Sequence, residues 1–301
     1  MNRGGQLVKL DPRVWALAET HSQSFTVGDR VYGCMRFGAC ASYVNVPAHQ
    51  IRKMPNNWNF SQGAAFTAQT LTSYYALKEL GNIRSGKVVF IHSLAGGCGM
   101  QALKICEKLG ASVIGTVGRP EKVLKLLERF PHLSIEQIIV RTTAKELGGQ
   151  IDTALGYLQH KASIVSHSGI DIVMDAVLGD WFQPVYDRLR PGGRYIVYGA
   201  ADMTPNSNKL GWNEWLRLGY QWLLRPKLDL LEVPSKNVGV MGFNLIHLLN
   251  DAELLLLLME EMEALSLEPP HVGHEFEFSE LVPALSLFRS GKTTGKVVLK
   301  V

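Results

Sequence analysis

Through the middle of the chain, short continuous apolar runs alternate with stretches whose apolar positions fall three and four apart. "KVVFIH" (Lys87–His92) is mostly apolar and rich in β-branched residues, as a strand buried on both faces requires. "MQALKICEKLG" then sets Ala102, Leu103, Ile105, Cys106 and Leu109 on one helical stripe, closed by Gly110. "ASVIGTV" predicts the next strand. "EKVLKLLERF" (Glu121–Phe130) predicts the next helix, with Pro120 ahead of it at a favourable first-turn position. The strand signal recurs in "QIIV" (Gln137–Val140), "GIDIVMDAV" (Gly169–Val177) and "GGRYIVYGA" (Gly192–Ala200), and "RPGG" (Arg190–Gly193) predicts a turn into the last. Strands alternating with helices predict an α/β fold, a Rossmann-type doubly wound parallel sheet. The span 131–168 is longer than such a fold needs, and its surplus has no assigned role.

The flanks follow another pattern. "GDRVYGCMRFGACASYVNV" (Gly28–Val46) is glycine-rich with short alternating runs, as in a small antiparallel barrel, and "GKVVLKV" (Gly295–Val301) predicts one more strand. Two edge segments around a central α/β unit predict a second lobe built from both termini.

Composition narrows the partners. With 301 residues, 46% of them hydrophobic, the chain can bury a large core in one or two domains. A net charge of +4, from 31 basic and 27 acidic residues spread evenly, argues against nucleic acid and for a small-molecule partner. The four cysteines lack paired CxxC spacing, which fits a reducing, cytoplasmic setting. The start has no apolar signal-peptide core, and "LLLLLM" (Leu254–Met259) is far short of the ~20 apolar residues of a membrane span, so a soluble protein is expected.

The chemistry begins at "VVFIHSLAGGCGM". A strand, a glycine turn and a helix make an anion site, because a helix N-terminus offers unpaired N–H groups and partial positive charge. Gly96-Gly97-Cys98-Gly99 matches the last four positions of the dinucleotide fingerprint GxGxxG, with Leu94 at the first glycine's place. The other reading is a tight turn for close helix–strand packing. The residue some twenty positions on selects the cofactor. Here "GTVGRPEK" (Gly115–Lys122) has no acid before Glu121, and Arg119 and Lys122 suit a 2′-phosphate, so NADPH is expected. Alternatively, these two cations solvate the start of a helix.

With these residues in hand, the chain resembles the medium-chain dehydrogenase/reductase superfamily, in its zinc-independent quinone oxidoreductase branch. "FTVGDRVYG" (Phe25–Gly33), "AAFTAQTLTSYYAL" (Ala64–Leu77, with Thr70 where glycine is usual), "GKVVFIHSLAGGCGMQALKI", "GTVGRPEK" and "TTGKVVLKV" carry the likeness. "GIDIVMDAVLG", "LRPGGRYIVYGAA" and "VGVMGFNL" look like the synaptic vesicle membrane protein (vesicle amine transport) group. The resemblance implies a Rossmann dinucleotide-binding domain over 66–250 and a GroES-like β-barrel substrate lobe from 1–65 and 251–301. It implies pyrophosphate contacts at Gly96, Gly97, Cys98 and Gly99, and 2′-phosphate contacts at Arg119 and Lys122. Tyr198 and Gly199 would flank the adenosine half, Phe243 and Thr72 the nicotinamide end, with Lys296 near the cleft. It also implies a homodimer joined through the "NVGVMGF" strand. The family carries a longer segment before "FTVGDRV", and "LDPRVWALAETHSQS" matches it poorly, so an incomplete barrel lobe is expected.

Other constellations are weaker. Cys34 and Cys40 lack the histidine and cysteine quartet of zinc dehydrogenases, and His271 and His274 lack a third ligand, so no metal is expected. "SGKTTGK" (Ser290–Lys296) precedes a strand and is no phosphate loop, and no GxSxG elbow occurs. Tyr75 reads either as a proton donor or as helix packing, and no catalytic residue is nominated. "LGWNEWLRLGYQWLLRPKLDLL" (Leu210–Leu231) mixes Trp212, Trp215, Tyr220 and Trp222 with basic residues. It reads as a membrane-interface helix, a substrate lid, or a helix packed on the sheet or on a dimer partner. The expected activity is NADPH-dependent reduction of a quinone or an α,β-unsaturated carbonyl (enone). The alternative is an NADPH-binding protein without turnover, peripheral to organelle membranes.

Overall fold

The computed structural model describes residues 2–6, 24–161, 167–201, 211–223 and 225–301. In chain order its strands are β1 (Asn2–Gln6), β2 (Arg30–Cys34), β3 (Ile51–Lys53), β4 (Val88–Ile91), β5 (Ser112–Val117), β6 (Ile138–Val140), β7 (Ile170–Asp175), β8 (Leu189–Val197), β9 (Gly239–Gly242), β10 (Val272–Glu277) and β11 (Lys296–Lys300). The longer helices are α1 (Phe60–Tyr74), α2 (Gly97–Lys108), α3 (Glu121–Arg129), α4 (Ala144–Lys161), α5 (Trp212–Leu223), α6 (Ala252–Ala264) and α7 (Leu281–Arg289). The chain divides into two compact units. The first is Met1–Tyr74, Gly96–Gln101 and Asn244–Val301, and the second is Tyr75–Ala95 and Ala102–Phe243.

The second unit is built on a parallel sheet of order β6-β5-β4-β7-β8-β9. Every residue of β4 and β7 is buried, and their apolar runs supply both faces of the sheet's centre. The chain enters at β4, moves outward through β5 and β6, then returns to β7 and leaves through β8 and β9. That reversal opens a crevice at the carboxyl ends of β4 and β7, where doubly wound sheets bind ligands. The surplus length after α3 is used by β6 and by α4, whose Leu147, Ile151, Ala154, Leu155 and Leu158 form one buried stripe. "RPGG" is not a turn before β8. It lies inside the strand as an irregularity, with Leu189 opposite Ile170 but Arg194 opposite Ile172. Gly192 there sits at φ +84 and donates to the Asn237 carbonyl.

The first unit draws on both ends of the chain. β1-β2-β3 form an antiparallel sheet, and β10 and β11 form a separate parallel pair. Tyr32 and Trp58 pack on Phe66 of α1, with ring centroids 5.6 and 4.7 Å away. The "LLLLLM" run is part of α6, a core helix capped by Asp251, which accepts from the Leu254 N–H. Tyr32 and Tyr74 donate to Glu263 and Glu261 on that helix, each at 2.8 Å. Among the described residues no helix is long and apolar enough to cross a membrane.

Candidate functional site

In the first unit, the glycine loop meets both α1 and the last strand. Gly96 makes a parallel bridge with Gly295. Gly295 sits at φ +69, and a Cβ there would lie 2.5 Å from the His271 carbonyl oxygen, so only glycine fits. α2 starts at Gly97, directly against α1. A Cβ on Gly97 would come within 3.0 Å of Gln69 Cγ and 3.8 Å of Lys296 Cδ. Ser73 Oγ donates to the Cys98 carbonyl at 2.9 Å, and Gln101 Nε2 donates to Thr70 Oγ1 at 2.7 Å. Thr70 is therefore a fully buried link from α1 to the first turn of α2. Gly97 is the place where α1 packs closely on the start of α2. The first-turn N–H groups still carry the partial positive charge of a helix start.

Lys296 leads β11 beside this turn. Burial lowers its ammonium pKa, with Cys98 opposing, and burial pushes the Cys98 thiol up to about 11. Gly97, Gln101, His271, Gly295 and Lys296 line a small recess, in which the buried Gln101 Oε1 has no hydrogen-bond partner among the described residues. Thr72 lies half-buried on α1.

In the second unit, two groups sit at the carboxyl end of the sheet. Beyond β5, Arg119 and Lys122 flank the start of α3, and Arg141 follows β6 directly. The Arg141 N–H donates to the Val117 carbonyl, and its guanidinium lies 3.4 Å from the Cβ position of Gly118. That guanidinium also reaches Ser93 Oγ at 3.4 Å and lies 5.7 Å over the Trp181 ring. Burial, then Arg141 and Arg119, lower the pKa of the half-buried Lys122. Glu121 lies 3.9 Å from Arg119 and is largely exposed. At the ends of β8 and β9, Phe243 meets Tyr75 at 5.0 Å and stacks on Tyr198 at 6.3 Å. Gly199 passes close to β7's exit, where a Cβ would lie 3.0 Å from Ala176 Cβ.

Two residues of this end were not picked out from the sequence. Arg141 enters through the parallel register that sets Val140 beside Val117, and its only local signal is a cation ending an apolar run. His92, the residue after β4, is fully buried with Nδ1 3.0 Å from Thr116 Oγ1.

Residues 150–299 match the family described as zinc-binding dehydrogenase. The human synaptic vesicle membrane protein VAT-1 homolog-like is 26% identical over 286 residues, covering 93% of this chain and 63% of its own length. Residues 150–299 form a zinc-binding dehydrogenase domain of the medium-chain dehydrogenase/reductase type. Among solved structures, mycobacterial Rv1454c complexed with NADPH superposes on this chain with a TM-score of 0.76 at 23% identity, covering all of this chain and 81% of that one. The quinone oxidoreductase from Thermus thermophilus, also solved with NADPH, gives 0.67 at 25% identity, covering 92% and 78%. The chain spans less than two thirds of the length of that human relative. Among its described residues no three His, Cys, Asp or Glu side chains gather as a metal site. His271 precedes β10, and His274 lies within it.

Proposed function

We propose that the chain is an NADPH-dependent oxidoreductase reducing a quinone or the activated double bond of an enone, without zinc. The observation that carries this reading is the cation group Arg119, Lys122 and Arg141 at the carboxyl ends of β5 and β6. A cofactor ribose with a free 2′-hydroxyl calls for a carboxylate at this place. A 2′-phosphate instead offsets the repulsion from Arg141 and Arg119 that, after burial, depresses Lys122, and forked guanidinium donors match its oxygens. The NADPH held by the mycobacterial and Thermus proteins supports the same choice.

When bound, the nicotinamide supplies the hydride. The chain's residues bind and orient. In the first unit, Gly96, Gly97, Cys98 and Gly99 offer first-turn N–H groups to a pyrophosphate, and the family resemblance assigns Thr72 to the nicotinamide end and Lys296 to the cleft. In the second unit, Tyr198, Gly199 and Phe243 form the nicotinamide side. We group Tyr198 with Phe243 because they are one stack, three strand spacings (about 14 Å) from β5. We read the first unit as the substrate lobe and β9 as the strand that joins a homodimer. The zinc-free part rests on the sequence, which carries no cysteine quartet of the kind that zinc dehydrogenases place on a structural loop.

The test is cofactor titration followed by turnover. Arg119→Ala and Arg141→Ala should each weaken NADPH about tenfold or more, with NADH nearly unchanged, because the lost partner is the extra phosphate. Equal losses for both cofactors would overturn the assignment. NADPH consumption with a panel of quinones and enals tests the activity. Tight NADPH binding with no acceptor consumed would instead leave a cofactor-binding protein without turnover.

A further inference from the structure

Helix α5 (Trp212–Leu223) is amphipathic in the opposite sense to a water-facing helix. Trp212, Trp215, Leu216, Tyr220, Trp222 and Leu223 fall within an arc of about 160° on the helical wheel. All six are exposed, from 55% at Leu216 to 77% at Trp212. On the other face Arg217 and Gln221 are half-buried and joined by a 2.7 Å hydrogen bond, and Leu218 is half-buried beside them in the sequence. α5 makes no extended contact with another described helix or strand. A 12-residue helix is marginal in water on its own, so its order and its apolar face call for the same partner.

The charges beside that face say which partner. Arg225 and Lys227 follow α5, both exposed, and the Arg225 guanidinium lies 4.4 Å over the Trp222 ring while donating to its carbonyl. Leu230 and Leu231 then continue the apolar surface at 77% and 78% exposure. One exposed acid, Asp229, interrupts it, and its carboxylate is engaged by the Leu231 N–H. Tryptophan and tyrosine with a polar edge, cations at their margin and an apolar face are what a lipid interface accepts. A helix of about 18 Å cannot span a bilayer, so it lies in the plane of the surface. A second copy docking on this patch would bring two cation-bearing faces together, which the charges oppose.

We propose that α5 docks in the interface of an anionic membrane, apolar face down, with Arg225 and Lys227 at the level of the lipid phosphates. The proposal is independent of the cofactor reading. The test uses the full chain with vesicles of phosphatidylcholine alone or mixed with phosphatidylserine. The wild type should sediment with the mixed vesicles, its tryptophan emission moving to shorter wavelength, and bind less to phosphatidylcholine alone. Arg225→Gln and Lys227→Gln should each weaken binding to the mixed vesicles about fivefold, and added salt should do the same. Trp215→Glu should abolish sedimentation, while an unchanged melting temperature and NADPH affinity show that it still folds. Absence of sedimentation by the wild type, or equal sedimentation of Trp215→Glu, would overturn the proposal. So would a protein that binds no vesicles and whose mass in light scattering falls on Trp215→Glu, because the face would then be a contact between copies.

Discussion

His92 shows how much a single ring is constrained at the carboxyl end of β4. It is fully buried, edge-on to Phe90, and its Nε2 has no partner among the described residues. Burial holds its pKa down to about 4 against an ordinary 6.5, with Asp175 opposing and Arg141 adding slightly. Because the folded value lies below the unfolded one, the unfolded chain binds the proton first as pH falls. Stability from a neutral His92 is therefore complete above pH 6.5 and is lost between 6.5 and about 4, by about 3 kcal/mol at most. Across this range, urea unfolding should show the wild type losing up to that much more stability than His92→Gln, and parallel pH profiles would show that the ring is not held neutral. From sequence, His92 was one polar end of an apolar run. Its burial depends on Thr116 and Asp175, which lie on other strands. Arg119 and Lys122 were legible because they follow β5 directly, whereas Arg141 reaches the same spot only through the β5–β6 register.

At the scale of elements, the strands of the second unit were legible because burial on both faces leaves unbroken apolar runs. α2 begins at Gly97, five residues before Ala102 opens its apolar stripe, since glycines carry no periodicity. What binds this first turn to α1 was not legible: Gln69, Thr70 and Ser73 look like ordinary helix residues until Gly97, Gln101 and the Cys98 carbonyl are set beside them. Gly97→Ala should press its methyl on Gln69, 3.0 Å from Cγ, so that this side chain must give by a few tenths of an ångström in the packed α1–α2 contact. We expect a loss of about 1–3 kcal/mol and weaker binding of NADPH and NADH alike, unlike the selective loss from Arg119→Ala. Adding Gln69→Ala should restore part of the stability in thermal melts. A single variant that melts and binds like the wild type would show that this contact is slack.

For the whole molecule, the alternation of strands and helices carried the fold class, but the strand order did not follow from it. The order depends on where the chain reverses, between β6 and β7, and no local pattern marks that point. The grouping of residues 96–101 with the first unit is likewise set by contacts to Gln69, Ser73 and Gly295, all distant in sequence. The order leaves β9 at one edge of the sheet, paired with β8 on one side and with no other strand among the described residues on the other. An open edge of N–H and C=O groups is a template for pairing, and a second copy of β9 about a two-fold axis satisfies both edges at once. Light scattering should then report twice 33.3 kDa. Val240 and Met241 lie in β9, each half-buried. Met241→Lys puts like charges near one another across such a junction, so it should lower the mass to that of one chain at dilute concentration without lowering NADPH affinity. A wild type that stays at 33.3 kDa at every concentration would show that the edge is left to water.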